Sequence, residues 1–161
     1  MSGAQCNIVI LGVSCFDGMA SSMRVRNLIN PLIEKNFVMA NNLIYQKDNS
    51  LKNIFSIFPF FYGGLAFIKS CKAKKQKNIL YNYNYPDIKN IVFILYARMI
   101  GYKVIFDIIE DNNYQGHTGL INKFRLRTSV FLFRFSRHFT DAMLGISKHL
   151  FLLIKNSFKE K

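Results

Sequence analysis

The stretch "NIVILGVSCFDGMASSMRVRNLINPLI", residues 7–33, decides which fold the sequence predicts. Residues 7–13 form a short apolar run that ends in turn residues, the pattern of a fully buried strand. Residues 20–35 then carry apolar side chains at helical spacing, namely Val25, Leu28, Ile29 and Leu32. Pro31 predicts a kink or an early end of this helix. A buried strand that leads through small residues into a helix is typical of an α/β protein.

The same alternation continues along the chain. Further strands are expected at residues 37–45, 78–83, 103–109 and 141–146. Helices are expected at 87–101, within 118–138 and at 148–156. Gly101 lies just beyond the first of these helices and Ser147 is the expected N-cap of the last. The pattern predicts one α/β domain over residues 1–161, with a parallel sheet, right-handed crossovers and helices on both faces.

Composition indicates the kind of partner. The 161 residues are half hydrophobic, which excludes a disordered tail, and 22 basic against 9 acidic residues give a net charge of +13. Such a balance indicates an anionic partner: a nucleic acid, an anionic membrane or a phosphorylated ligand.

Three widely spaced cysteines and three unclustered histidines predict no metal site, and reduced thiols fit a cytoplasmic protein. The N-terminus lacks the basic start of a secretory signal.

The loop after the first strand has the composition of an anion site. Ligands of parallel sheets bind at the carboxyl ends of the strands. Small side chains leave room for a ligand to approach the backbone here: Gly18, Ala20, Ser21 and Ser22. The helix that follows directs free N–H groups and a positive dipole end to the same place, and Arg24 or Arg26 adds a guanidinium suited to a diphosphate. The alternative is an ordinary turn with serine caps, since neither GxGxxG nor a Walker loop is present.

The order and spacing of these segments resemble the amino-terminal half of a GT-B glycosyltransferase of retaining family 4. In that family a helix ends in Gly before a strand of the form "GKKVVxDxxD". The matching residues here are Gly101, Lys103, Val104, Ile105 and Asp107. A strand ending "xxVS" before a helix is matched by residues 144–147. The resemblance covers residues 6–156.

The resemblance implies a Rossmann-like fold that forms one half of a GT-B architecture. The residues from Gly18 to Ser22, with Arg24, would then contact the donor diphosphate of a nucleotide sugar. Asp107, Glu110 and Asp111 would face a saccharide or lipid-linked acceptor. No catalytic base is assigned, and no cofactor is expected beyond the nucleotide-sugar substrate.

The family's second domain, which carries a Glu-x7-Glu motif, has no match in this sequence. The chain has three glutamates, Glu34, Glu110 and Glu160, and no two of them have that spacing. We therefore expect an acceptor-side domain that is inactive without a C-terminal donor-binding domain or a separate subunit that supplies it.

Two acid-free segments suggest a membrane surface. Residues 53–77 contain an aromatic run followed by Lys69, Lys72, Lys74, Lys75 and Lys77. Pro59 and two glycines interrupt the run, so it is expected to lie peripherally on an anionic membrane, on its inner face, rather than to cross it. Residues 112–140 interleave basic residues with phenylalanines. The alternative for both segments is core helices with cationic solvent faces.

Two functions from other classes stay open. The first is a basic nucleic-acid-binding module, although no RNP-like strand, GXXG loop or zinc-finger spacing is present, so nucleic acid is not the expected partner. The second is a small phosphate-ligand-binding module of the receiver or flavodoxin type. Asp17 alone does not supply the acidic pair of a receiver, and a flavodoxin-like phosphate loop would be richer in Ser and Thr than "FDGMASSM", residues 16–23.

Overall fold

A computed structural model gives the fold. It describes residues 6–12, 20–35, 38–43, 57–86, 88–109, 120–136, 138–148, 150, 152 and 155.

The described strands form a five-stranded sheet. They are β1 (Cys6–Leu11), β2 (Val38–Leu43), β3 (Lys77–Tyr83), β4 (Lys103–Ile108) and β5 (Ala142–Gly145). All neighbouring pairs are parallel, in the order β2-β1-β3-β4-β5. The predicted strands and the parallel α/β sheet are confirmed. The buried run of β1 lies inside the sheet, because apolar side chains on both faces of a strand need cover on both sides.

Helices cover both faces of the sheet, as predicted. They are α1 (Ala20–Glu34), α2 (Ile57–Ser70), α3 (Ile88–Met99) and α4 (Leu120–Ser136). On one face, Val25 and Ile29 of α1 pack with Ile8, Ile10 and Tyr81. On the other face, α2, α3 and α4 contribute Ile68, Phe93 and Phe133 to a larger core with Val9, Leu80 and Phe106.

The strand order reverses between β1 and β3. From β1 the chain goes to β2 on one side, and it then returns to place β3 on the other side of β1. In open parallel sheets, loops leave the carboxyl ends in opposite directions at such a reversal and leave a crevice between them. A crevice is therefore expected beyond the carboxyl ends of β1 and β3.

Three predicted helix signals have different outcomes. Gly101 has φ +93° directly after α3, as expected of a left-handed helix terminator. The hydroxyl of Ser147 accepts a hydrogen bond from the N–H of Leu150 at 3.2 Å, which confirms the N-cap. Pro31 is predicted to kink α1 or to end it early, and the early end is wrong, because α1 continues to Glu34. Proline at this position lacks the N–H that would bond to the Asn27 carbonyl oxygen one turn earlier.

The aromatic segment folds into α2 and packs on the core. Phe61, Leu65 and Phe67 lie half-buried against the larger core, and the rings of Phe61 and Phe93 are 5.5 Å apart. Gly64 is buried where α2 meets α3. The segment therefore uses these apolar side chains for folding, and Tyr62 is its large exposed side chain among the described residues.

Asp141 joins three elements at the amino edge of the sheet. Its carboxylate accepts hydrogen bonds from Arg98 Nη1 at 2.6 Å, Lys103 Nζ at 2.9 Å and the Val104 N–H at 2.8 Å. Burial raises the pKa of Asp141, but the contacts with Lys103, Val104 and Arg98 outweigh it and leave the pKa below its usual value. The end of α3 and the starts of β4 and β5 are thereby held together.

Gly64→Ala tests the close approach of α2 and α3. A Cβ at residue 64 would overlap the fully buried ring of Phe93, whereas a Cβ at Gly63 would meet nothing within 4 Å. We expect Gly64→Ala to lower the free energy of unfolding by about 1–3 kcal/mol through overpacking. The matched control Gly63→Ala should raise it by roughly 0.5–1 kcal/mol, because alanine is the better helix former. Equal effects in urea denaturation would contradict this packing.

Asp141→Asn tests the ion pairs at the amino edge. Because folding lowers this pKa, the carboxylate stabilises the fold above the unfolded value of about 3.9, and its contribution is lost as pH falls through the folded value. We expect Asp141→Asn to lower the free energy of unfolding by about 1 kcal/mol near neutral pH, and the difference from wild type should shrink below about pH 4. The control Glu34→Gln, at an exposed carboxylate, should cost less than about 0.5 kcal/mol. A difference in the free energy of unfolding between wild type and Asp141→Asn that stays constant at all pH values would contradict the prediction.

Candidate functional site

The carboxyl edge of the sheet brings together residues from four elements. Arg24 lies in the first turns of α1, Tyr81 lies on β3, and Asp107 lies on β4, where it pairs in register with Tyr83. Gly12 directly follows β1. These positions lie near the carboxyl ends of β1, β3 and β4, beside the point where the strand order reverses.

Asp107 is the centre of this group. Its side chain is completely buried and accepts two hydrogen bonds from one guanidinium: Arg24 Nε donates to Oδ2 at 2.8 Å and Nη2 donates to Oδ1 at 2.7 Å. The hydroxyl of Tyr81 donates to Oδ2 at 2.5 Å. We call these three residues the Arg24–Asp107–Tyr81 cluster.

The protonation states in the cluster follow from burial and pairing. A buried carboxylate is costly unless it is paired and hydrogen-bonded, and the bidentate guanidinium supplies both. The hydrogen bond to Asp107 raises the pKa of Arg24, so the guanidinium stays charged. Burial, and then the hydrogen bond to Asp107, raise the pKa of Tyr81, so its hydroxyl stays a donor.

Arg24 connects the buried carboxylate to solvent. Its side chain is 31% exposed, while that of Asp107 is 0% exposed. Nε and Nη2 are used by Asp107, and Nη1 donates to no residue that the structure describes. The arrangement therefore presents a partly exposed guanidinium, with two of its nitrogens bonded to Asp107, at the carboxyl edge of the sheet.

Gly12 shapes the start of the crevice and was not singled out by the sequence reasoning. It has φ +92°, and a Cβ there would lie 3.0 Å from the carbonyl oxygen of Tyr83. The backbone of the β1 end therefore approaches the β3 end more closely than other residues allow. The signal in the sequence was a single Gly at the end of the buried apolar run.

A network of asparagines fixes the turn from β3 into α3. Asn82 is fully buried and donates to the carbonyl oxygen of Asn84 at 2.8 Å, while Asn90 donates to Asn82 Oδ1 at 3.2 Å. Asn84 has φ +70°, and its N–H donates to the Asp107 carbonyl oxygen at 2.7 Å. The turn is thus tied to the backbone of the residue at the centre of the cluster. Sequence reasoning missed this network, whose signal was the repeated Asn in "YNYNYP".

The predicted loop and acceptor residues are only partly described. Ala20, Ser21 and Ser22 lie in the first turn of α1, at the carboxyl edge, but their side chains are outside the described residues. Gly18, Glu110 and Asp111 also lie outside them. Of the residues predicted to bind donor and acceptor, the structure brings together Arg24 and Asp107, which bond directly to each other.

The predicted membrane lysines lie at the opposite edge of the sheet. All five are exposed, and they occupy the end of α2, the connection after it and the first residue of β3: Lys69, Lys72, Lys74, Lys75 and Lys77. The seven-residue strand β3 separates the two edges by about 20 Å. The lysine cluster, as these five residues are called below, is therefore separate from the Arg24–Asp107–Tyr81 cluster.

The described residues contain no group of three or more His, Cys, Asp or Glu side chains placed to hold a metal ion. None of the helices in the described part of the chain has the length and apolar character needed to cross a bilayer. No family model matches the sequence, and no curated protein matches it.

Arg24→Ala tests the dependence of Asp107 on its partner. The substitution leaves a buried carboxylate without its counter-charge, which costs about 3–5 kcal/mol in typical buried pairs. We expect Arg24→Ala to lower the free energy of unfolding by about 3 kcal/mol, at the lower end of this range, because Arg24 is partly exposed and water can enter to solvate Asp107. Arg98→Ala, which removes an exposed partner of Asp141, should cost less than about 1 kcal/mol.

Two further variants make this test specific to charge. Asp107→Asn combined with Arg24→Ala should recover part of the loss, since no charge is then left buried. Arg24→Lys should fall between wild type and Arg24→Ala, because an ammonium cannot form both hydrogen bonds with the same geometry. Equal stability of Arg24→Ala and Arg98→Ala in chemical denaturation would contradict this account.

Proposed function

We propose that this chain is the acceptor-side, Rossmann-like domain of a two-domain glycosyltransferase of the GT-B type. It would move a sugar from a nucleotide-sugar donor to a saccharide or lipid-linked acceptor. The observation that carries the proposal is the guanidinium of Arg24, held by the Asp107 carboxylate, which also accepts a hydrogen bond from Tyr81, at the reversal of the strand order. The carboxyl edge at such a reversal is where open α/β sheets bind ligands.

Arg24 is the proposed diphosphate contact. A phosphate oxygen can accept a hydrogen bond from Nη1 while Nε and Nη2 stay bonded to Asp107. Ala20 begins α1, so the free N–H groups of its first turn lie on the same side of the sheet. An arginine fixed in advance loses less conformational entropy on binding than a free one.

Asp107 has a different proposed role from the one suggested by the resemblance. Its carboxylate is buried and already accepts three hydrogen bonds, so it is better placed to orient Arg24 than to bind a sugar hydroxyl. Contact with the acceptor is proposed for Glu110 and Asp111, which follow β4 in the sequence. No catalytic base is proposed.

The donor is proposed to bind between this domain and a second one. A C-terminal donor-binding domain, in the same protein or in a separate subunit, would close the cleft over the carboxyl edge. The isolated chain should then bind nucleotide sugars weakly and transfer no sugar. The lysine cluster at the amino edge is proposed to hold the protein peripherally on an anionic membrane, at about 1 kcal/mol for each lysine near the surface.

A second candidate is a single-domain phosphate-ligand-binding module. The strand order β2-β1-β3-β4-β5 favours it, because flavodoxin-like domains have this order and bind at the same β1/β3 reversal. Both candidates place phosphate at the Arg24–Asp107–Tyr81 cluster. They differ in whether a second domain is needed for tight binding.

Nuclear magnetic resonance titration with uridine diphosphate tests the shared site. We expect weak, fast-exchange shifts of the Arg24 Nε–H, the α1 first-turn amides and Gly12, and none with uridine, which lacks phosphate. Arg98→Gln should not change the response, whereas Arg24→Lys should weaken it while the spectrum stays that of a folded protein. Shifts confined to the lysine cluster would contradict the proposed site.

Activity and affinity separate the candidates. Incubation of the chain with nucleotide sugars and acceptors should give no transfer, and transfer at an ordinary enzymatic rate would contradict the need for a second domain. Tight binding of a flavin or another phosphorylated ligand by the chain alone would support the single-domain candidate. Tight, steeply salt-dependent binding of RNA or DNA would instead support a nucleic-acid-binding module.

A further inference from the structure

The outer face of α4 carries phenylalanines and arginines in one stripe. The members are Phe124, Arg127, Phe131, Arg134 and Phe135. At about 100° per residue they fall within an arc of roughly 100° of the helix surface. We call this set the Phe–Arg stripe.

The phenylalanines of the stripe are not part of the core. Phe124 and Phe131 are 67% and 66% exposed, and Phe135 is 46% exposed, whereas Phe133 on the opposite side of the helix is 3% exposed. Phe133 belongs to the larger core and packs against Tyr85, at 4.8 Å between ring centroids. A contiguous exposed apolar patch with charged residues beside it is typical of a surface that binds a protein, a ligand or a membrane.

The charge of the stripe narrows the choice of partner. Arg127 and Arg134 are exposed, and residues 112–140 contain no acid. A second copy of the chain would bring these arginines against like charge, in a protein that already carries +13. The partner must therefore offer both negative charge and apolar volume.

An anionic lipid bilayer supplies negative charge in its headgroups and apolar volume in the acyl chains beneath them. Acyl chains accept the phenylalanine rings, and lipid phosphates accept hydrogen bonds from guanidinium groups. Nucleic acid would match the charge, but the rings of Phe131 and Phe135 lie 6.5 Å apart at 5° and stack on each other, and Phe135 also packs against Phe139. This packing leaves less free ring surface for bases.

We propose that the Phe–Arg stripe of α4 lies on an anionic phospholipid bilayer, with Phe124 and Phe131 inserted between the lipids. Because α4 connects parallel strands β4 and β5, its last turn approaches the amino edge, where the lysine cluster also lies. In this proposal the Phe–Arg stripe inserts apolar side chains into the bilayer, and the lysine cluster adds electrostatic attraction to the same membrane. This inference deepens the membrane association within the proposed function, and its test uses no sugar donor.

A single tryptophan reports insertion directly. The chain has no tryptophan, so Phe131→Trp introduces one emitter into the stripe. Vesicles of phosphatidylcholine with phosphatidylglycerol should shift its emission to the blue, and lipids brominated in the acyl chains should quench it. Leu28→Trp, at an exposed site of α1 on the other sheet face, is the matched control and should stay water-like. Vesicles of phosphatidylcholine alone should give a weaker response.

Paired variants separate insertion from charge. Phe124→Ala with Phe131→Ala should weaken flotation with anionic vesicles by about tenfold or more, since two apolar side chains leave the interface. The control pair Met23→Ala with Leu32→Ala removes exposed apolar side chains from α1 and should not change flotation. The pair Arg127→Gln with Arg134→Gln should weaken binding to anionic vesicles but not to neutral ones. Added salt should weaken the binding of every variant to anionic vesicles, because it screens the attraction.

Several outcomes would overturn the inference. Emission of Phe131→Trp that is already blue-shifted without vesicles and depends on protein concentration would show that a second copy covers the stripe. A shift with RNA or DNA but not with vesicles would assign the stripe to nucleic acid. Vesicle binding with a water-like tryptophan would mean that the lysine cluster acts alone. Absence of nucleotide-sugar binding would count against the proposed function and leave this inference standing.

Discussion

The paired charge of Asp107 is the constraint on which the candidate site depends. Its carboxylate is fully buried, and Arg24, 83 residues earlier in the chain, supplies the counter-charge. The pair therefore joins the start of α1 to β4 across the point where the strand order reverses. The same contact that makes the burial of Asp107 tolerable also orients a guanidinium toward the crevice, so stability and the proposed phosphate contact come from one interaction.

The two edges of the sheet have different chemistry. The carboxyl edge combines a neutral ion pair, a glycine with positive φ and a tied asparagine turn, which suits a specific small ligand. The amino edge carries five exposed lysines, and Asp141 pairs with two further cations there. In the proposed function, this separation would place the membrane contact at one edge of the sheet and the phosphate ligand at the other.

Local signals in the sequence predicted the individual strands, the terminator Gly101 and the Ser147 cap, because each depends on neighbours within a few residues. The parallel pairing of the strands followed from their alternation with helices. The pairing of Arg24 with Asp107 depends on tertiary structure, and the sequence suggested separate roles for them. The phenylalanines show the same limit. Those of α2 that are described pack against the core, whereas three in α4 face solvent, although each helix contains four phenylalanines. The loop of residues 13–19 lies outside the described residues, so its predicted fit to a diphosphate stays a prediction.

The central claim is that Asp107 holds Arg24 in place as a phosphate contact. A crystal structure of the chain with uridine diphosphate tests it most directly. The account predicts a phosphate oxygen about 3 Å from Arg24 Nη1, with both hydrogen bonds between Arg24 and Asp107 intact. A diphosphate bound at the lysine cluster, or bound at the carboxyl edge without contact to Arg24, would contradict it.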